Sequence, residues 1–326
     1  MTVRTLVMIL VAAVTISAAP LGATDDPVPT FKSSVDLVPI SAVVRDRRGR
    51  LVPNLGAADF EVFDAGVRRR ILDFQVDRSG AVTLALLFDA SGSMAVGPKL
   101  SFAKQVSESL VAGLADGRDE VGLFTFDAAL HEQQPFTVHP GATDSGASFL
   151  VPFGTTSLYD AIAATARRLE ARPAARRAII VLTDGLDTSS ELTPSEVSAI
   201  ASSIEAPVYF VVAVPPIDRA QYMERLRRRD ASSQVSDLRT LARWTGGDIA
   251  FASAPEDAGP VASRIVNELR HQYLLAIESA NASDWRRLEV RVRDQRLTVR
   301  ARSGYFGREL MSGTDVAAGQ RTDAPR

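Results

Sequence analysis

Asp89, Ser91 and Ser93 stand at i, i+2 and i+4, directly after the apolar run from Val82 to Phe88. One carboxylate and two hydroxyls at that spacing can converge on a hard divalent cation, which takes oxygen donors. Two later segments repeat the arrangement. Phe153-Gly154-Thr155-Thr156-Ser157 puts a glycine turn and hydroxyls just ahead of a helix-period stretch, Leu158, Ile162, Ala166 and Leu169. Ala178 to Leu182 is a second apolar run, and it ends in Thr183-Asp184-Gly185. Asp187, three residues on, reads as an exposed loop carboxylate. Taken singly, Ser91 and Ser93 could equally cap a helix after a strand, but capping does not account for three oxygen-bearing loops together.

Positioning such loops needs a sheet whose strands all end at one edge. Between residues 80 and 271 apolar runs alternate with helix-period segments, the pattern of a parallel sheet with right-handed crossovers. Lys99 to Leu114 carries Phe102, Val106, Leu110 and Leu114 on one face, with Pro98 at its start. Glu120 to Phe126 is the next strand and Ala129 to Phe136 a short antiparallel edge strand. There follow a helix near Pro194 to Ile204, the strand Val208 to Val214, a helix around Leu238 to Trp244, a C-cap at Gly246-Gly247, the strand Asp248 to Phe251 and a helix to Arg270. The fold class is α/β, a doubly wound, mainly parallel sheet flanked by helices, which binds ligands at the carboxyl ends of its strands. The Arg-rich stretch Pro215 to Val235 reads as a solvated helix, with a contact surface beside the metal edge as its second reading.

These residues resemble the von Willebrand factor type A domain with its metal-ion-dependent adhesion site, written DxSxS, then a Thr in a GGT-like turn, then an Asp in a TDG turn. The resemblance covers roughly residues 80 to 271. It implies a Rossmann-like fold and a site built from Asp89, Ser91, Ser93, Thr156 and Asp184, holding Mg²⁺, with Mn²⁺ or Ca²⁺ as alternatives. Ser91, Ser93 and Thr156 would be direct hydroxyl ligands, and Asp89 and Asp184 would act mainly through water. Thr155 occupies the place of the usual second glycine, so Thr155 and Thr156 both qualify as the ligand; the offset from Leu158 favours Thr156. Neutral first ligands leave the ion under-neutralised, ready for an Asp or Glu of a partner protein. The flanks Asp59 to Gly66 and Arg302 to Phe306 also resemble a bacterial exported group of A-domain proteins.

Outside the A domain, residues 35–76 and 272–306 are β arms of alternating character, each too small to bury both faces of its own sheet. Paired, they would form one small β-sandwich. Residues 1–23 follow signal-peptide grammar: Arg4, an apolar core from Leu6 to Ile16 and small residues ending at Ala23. The apolar core is shorter than the roughly 20 residues of a span, so export to the periplasm or medium is expected, with cleavage after Ala23. Residues 24–34 read as a linker and 312–326 as a disordered tail, and no later apolar run reaches spanning length.

Composition narrows the function. At 326 residues, with 46% hydrophobic and 23% charged residues, the chain is an ordinary globular one, and a net charge of −2 gives no field that would draw it to nucleic acid. The 37 basic residues include only three lysines, Lys32, Lys99 and Lys104, an excess of arginine that codon usage explains. The absence of cysteine excludes disulfides, zinc–thiolate sites and a thiol nucleophile. Catalysis finds little support. Ser91 stands where a phosphoryl-transfer aspartate wants its second carboxylate, and His131, His139 and His271 belong to no serine motif. No phosphate-binding GxxxxGKS loop exists. Asp144-Ser145-Gly146 and Asn281-Ala282-Ser283 are short chance matches, and Trp244 and Trp285 read as packing residues. The expectation is a binding module that grips an acidic group through a metal ion. A metal-dependent hydrolase and a structural envelope protein with a stabilising metal are the alternatives. Oligomeric state is not legible.

Overall fold

The computed structural model describes residues 37–76, 78–140, 151–172, 176–203, 205–227, 234–280 and 284–306. The signal peptide, the linker, the tail, Asp144-Ser145-Gly146, Asn281-Ala282-Ser283 and residues 228–233 of the Arg-rich stretch lie outside these. The chain first lays down β1 (Leu37–Arg45), β2 (Phe60–Asp64), β3 (Val67–Arg69) and β4 (Ile71–Gln75). An alternating series comes next: β5 (Val82–Asp89), α1 (Lys99–Ala112), β6 (Glu120–Phe126), β7 (Leu130–Thr137), α2 (Leu158–Glu170), β8 (Arg176–Thr183), α3 (Pro194–Ser203) and β9 (Val208–Ala213). It continues through α4 (Pro216–Arg227), α5 (Gln234–Thr245), β10 (Ile249–Ala252) and α6 (Ala258–Arg270). The last described elements are β11 (Tyr273–Glu278), β12 (Trp285–Val292), β13 (Thr298–Ala301) and β14 (Gly304–Phe306).

Six strands form the central sheet in the order β10-β9-β8-β5-β6-β7, parallel except for the antiparallel edge strand β7. The apolar runs of β5, β8 and β9 are buried on both faces because helices cover both. Leu84, Leu86 and Phe88 meet Phe102, Val106 and Leu110 of α1 and Ile265 and Leu269 of α6. The alternate residues Ala85 and Leu87 meet Leu158, Ile162 and Ala166 of α2 and Leu238 and Leu241 of α5. Side chains alternate across a strand, so an unbroken apolar run is what a two-sided burial requires. From β5 the chain runs outward to β6 and β7, then returns to the other side of β5 as β8. The strand order therefore reverses between β5 and β8, and this switch point is where an open α/β sheet has a crevice at the carboxyl ends of its strands.

Two further sheets, both antiparallel, have the orders β13-β1-β11-β4 and β14-β12-β2-β3. Each takes strands from both ends of the described chain, and together they enclose Ile40, Val44, Phe60, Val62, Leu275, Ile277, Leu288 and Tyr305. Phe60 packs between Phe74 and Tyr273, with ring centroids 5.7 and 5.0 Å away. Two of these strands are only three residues long. The Asp64-Ala65-Gly66 turn closes a hairpin onto the three-residue β3, and Gly304 to Phe306 pairs with β12 as β14. Both are too short for alternation to register.

A buried ion network ties these sheets to the α/β part. The side chain of Glu268 on α6 is 1% exposed and pairs with Arg45 of β1, Arg300 of β13 and Arg264 of its own helix, while Tyr209 Oη of β9 donates to it at 3.2 Å. Burial opposes the charge, but Arg300 and Arg45 outweigh it and hold the carboxyl below its usual range. Nearby, the buried Arg302 guanidinium donates to the carbonyls of Ser202 on α3 and Pro39 on β1.

Because β1 lies between β11 and β13, and β2 lies between β12 and the three-residue β3, truncation before Gln272 should leave β1 without either strand partner and β2 with β3 alone. Hydrogen exchange should then show Val38 to Phe63 losing protection to near that of an unfolded chain. Unchanged protection there would contradict the pairing.

Candidate metal centre at the carboxyl edge of the sheet

Asp89 is the last residue of β5 and Asp184 the first after β8, so the switch point brings the two carboxylates to the same crevice. Both are buried, at 0% and 1% exposure. Asp89 Oδ1 accepts from the Ser91 amide at 2.9 Å and Oδ2 from the Thr183 hydroxyl at 2.6 Å, which fixes the carboxylate in the crevice. Ser91 and Ser93 turn their hydroxyls toward each other, 3.1 Å apart. Ser91 begins a short 3₁₀ turn (Gly92–Ala95) but makes no side-chain cap bond, so capping is not what occupies its hydroxyl.

The third loop is tied to both others through main-chain bonds. Phe153 N donates to Ala90 O at 2.8 Å and Gly92 N to Gly154 O at 3.2 Å. On its other side, Thr156 O accepts from Thr188 N at 2.9 Å and Ser189 N at 3.1 Å. Gly154 and Gly185 have φ of +85° and +89°, left-handed turns that glycine adopts without strain and that redirect the chain beside Thr156 and Asp184. Thr156 is buried at 3% exposure, whereas Thr155 is exposed. Thr156 thus lies in a loop that is packed between its neighbours. Asp187 is likewise not an idle exposed carboxylate. It is half-buried and accepts from Leu158 N at 2.9 Å and Ser190 Oγ at 2.6 Å, holding the start of α2.

Lys99 is a site residue that the sequence patterns do not single out. From the first turn of α1 its Nζ reaches Asp184 Oδ2 at 2.7 Å and Ser93 O at 3.2 Å, with the side chain 17% exposed. Its position six residues beyond Ser93, in a chain with three lysines, is the only signal in the sequence. The ammonium satisfies one oxygen of Asp184; the other, Oδ1, is buried with no hydrogen-bond partner. A buried carboxylate oxygen without a donor is costly, and here it shares a crevice with Asp89 and two paired hydroxyls. This donor set fits a hard divalent cation. Among the described residues no three His, Cys, Asp or Glu side chains gather as a metal group, consistent with a set in which hydroxyls outnumber carboxylates.

Burial pushes the Asp89 carboxyl up from 3.8 to about 6; hydrogen bonds from Ser91 and Thr183 pull it back, and the charge of Asp184 adds to the rise. None of the three histidines serves a serine: His131 faces Asp127 at 3.4 Å, His139 faces Asp116 at 3.3 Å, and His271 Nδ1 lies 2.8 Å from Asn267 O. Trp244 and Trp285 line one cleft of about 830 Å³ between α3, α5 and β12.

Without divalent ions, the raised carboxyl of Asp89 makes the folded state hold a proton that the unfolded chain has released. Its stabilising contribution is complete below pH 3.8 and is lost as pH rises through about 6. The loss amounts to about 3 kcal/mol. Chemical denaturation in chelator should show this fall in wild type relative to Asp89→Asn. Parallel pH profiles for the two proteins would contradict the burial cost assigned to Asp89.

Residues 84–186 match the family model of the von Willebrand factor type A domain, a span that includes all five residues of the proposed site. No curated protein matches the sequence. Among solved structures, the conserved hypothetical protein BatB from Bacteroides thetaiotaomicron is 20% identical with a TM-score of 0.43, over 56% of this chain and 97% of that one. A von Willebrand factor type A protein from Catenulispora acidiphila is 14% identical with a TM-score of 0.46, over 88% of this chain and 77% of that one. Proximal thread matrix protein 1 from the mussel byssus is 16% identical with a TM-score of 0.46, over 63% of this chain and 49% of that one. Within its α/β part, residues 84–186 of this chain are thus similar to the von Willebrand factor type A domain.

Proposed function

We propose that the chain is an exported binding module whose A domain holds one divalent cation, Mg²⁺ or a close equivalent, and uses it to grip an Asp or Glu of a partner protein. The observation that carries this reading is the buried, donorless Oδ1 of Asp184 in one crevice with Asp89, Ser91 and Ser93. Ser91, Ser93 and Thr156 would hold the ion directly, and Asp89 and Asp184 would hold it through water. When bound, the ion supplies a Lewis-acid position for an anionic oxygen. Asp89 is kept oriented by Thr183 and Ser91, so the crevice is organised without the ion. Binding rather than catalysis is favoured because, among the described residues, no histidine approaches the serines and no third carboxylate joins the pair. Export rests on the grammar of residues 1–23. Among the described residues no helix is long and apolar enough to cross a membrane.

Lys99 already neutralises part of Asp184, so ion binding must displace or outcompete an ammonium. Titration calorimetry should detect Mg²⁺ or Mn²⁺ binding to wild type, at least tenfold weaker binding to Asp89→Ala, and several-fold tighter binding to Lys99→Met. Undiminished binding to Asp89→Ala would place the ion elsewhere.

Partner capture should depend on the same atoms. Proteins retained from the source cell envelope in Mg²⁺ should be released by chelator, and Thr156→Ala should lose them. Thr156→Ser, which keeps the hydroxyl, should retain most of the binding. Equal retention in Mg²⁺ and chelator would assign recognition to another surface.

A further inference from the structure

One edge of the central sheet lies at β10, and there the fold leaves main-chain groups without a strand partner. The parallel pairing with β9 uses the carbonyls of Asp248 and Ala252, which accept from Phe210 N at 2.9 Å and Val214 N at 3.0 Å. Alternation then turns the main-chain groups of Ile249 and Phe251 outward. Ile249 N is satisfied by the side chain of Asp248 at 2.9 Å. The Ile249 carbonyl and the Phe251 amide remain, two residues apart, which is the pair that one residue of an added parallel strand would bridge. Residues 249–251 are half-buried rather than covered, and they form the floor of a groove of about 640 Å³ between α4 and α5 on one side and α6 on the other.

The walls of this groove carry five arginines against two aspartates. Arg264 and Arg300 are committed to Asp248 and the buried Glu268. Arg219 faces Asp257 at 3.5 Å and is exposed. Arg243, also on the wall, is exposed. Natural proteins blunt open edges with charge or by covering them; here the charge is of one predominant sign and borders the edge instead of blocking it. We infer that this groove is a second recognition site, which takes an extended acidic segment of another protein as an added strand. Main-chain bonds to Ile249 and Phe251 supply the pairing, and carboxylates of the segment meet the arginine walls. This site is independent of the metal centre and needs no divalent ion.

The test uses a fluorescein-labelled Val-Glu-Val-Glu-Val-Glu-Val peptide in chelator, read by anisotropy against the full chain. The acidic peptide should bind. The Val-Lys counterpart, and the acidic peptide N-methylated at alternate main-chain nitrogens, should each bind at least tenfold more weakly. The double variant Arg219→Glu/Arg243→Glu, whose changes are both at exposed positions, should keep its circular dichroism and thermal midpoint and lose at least tenfold in affinity. Equal binding of the lysine peptide, the methylated peptide or the double variant would overturn the proposal, as would no binding of the acidic peptide at millimolar concentration. Wild-type self-association in sedimentation that the double variant abolishes would assign the groove to a second copy, and so overturn it as well.

Discussion

Two carboxylates buried where a parallel sheet reverses its strand order set the terms for the rest of the α/β part. Desolvating Asp89 and Asp184 side by side is unfavourable, and the surroundings offset that cost piecemeal. Thr183 and the Ser91 amide donate to Asp89, and Lys99 donates to one oxygen of Asp184. One buried oxygen is left without a donor. A cation is the species that completes such a set. The loops 90–93, 153–156 and 184–189 are bonded to one another through their main chains, so the crevice does not wait for a ligand to assemble it. Lys99 already places a positive charge at this crevice, so an external ion bound there would have to compete with an ammonium.

The β sheets that bracket the domain act on it through α6. That helix lies against α1, β8 and β10 in the core, and its Glu268 is held by Arg45 and Arg300 from the flanking sheet. Three arginines around one buried carboxylate specify a single docking of the two parts more than they add stability, since a hydrophobic substitute would avoid the desolvation altogether. The β sheets and the α/β part therefore share a polar, geometrically exacting seam. Arg300 also borders the groove at β10, which places that second candidate surface on the same seam.

Much of this is legible in the residues. The unbroken runs Val82 to Phe88 and Ala178 to Leu182 can only be strands buried on both faces, and the residues just after each run must lie at the carboxyl edge. That logic locates Asp89, Ser91, Ser93 and Asp184 without coordinates. Period-four apolar spacing gives α1 and α2 for the same reason. Contacts between residues far apart in sequence are not legible. Nothing in the local pattern announces that Lys99 reaches Asp184, 85 positions away, or that Glu268 collects Arg45 across 223. The burial of Thr156 and the capping role of Asp187 escape sequence reading because both depend on how the loop after β8 folds over the start of α2. Short strands such as β3 and β14 escape it because three residues cannot display a period.

The central claim is that the crevice between β5 and β8 is a divalent-cation site completed by hydroxyls. Crystals of the protein grown with Mn²⁺ and measured at the manganese absorption edge test it most directly. A single strong anomalous peak is expected at this edge of the sheet, within bonding distance of the hydroxyls of Ser91, Ser93 and Thr156, with the Lys99 ammonium moved off Asp184. A crevice with no anomalous peak at saturating Mn²⁺ and Lys99 still paired to Asp184 would contradict it. The lysine would then be the site's permanent cation, and recognition would need another surface.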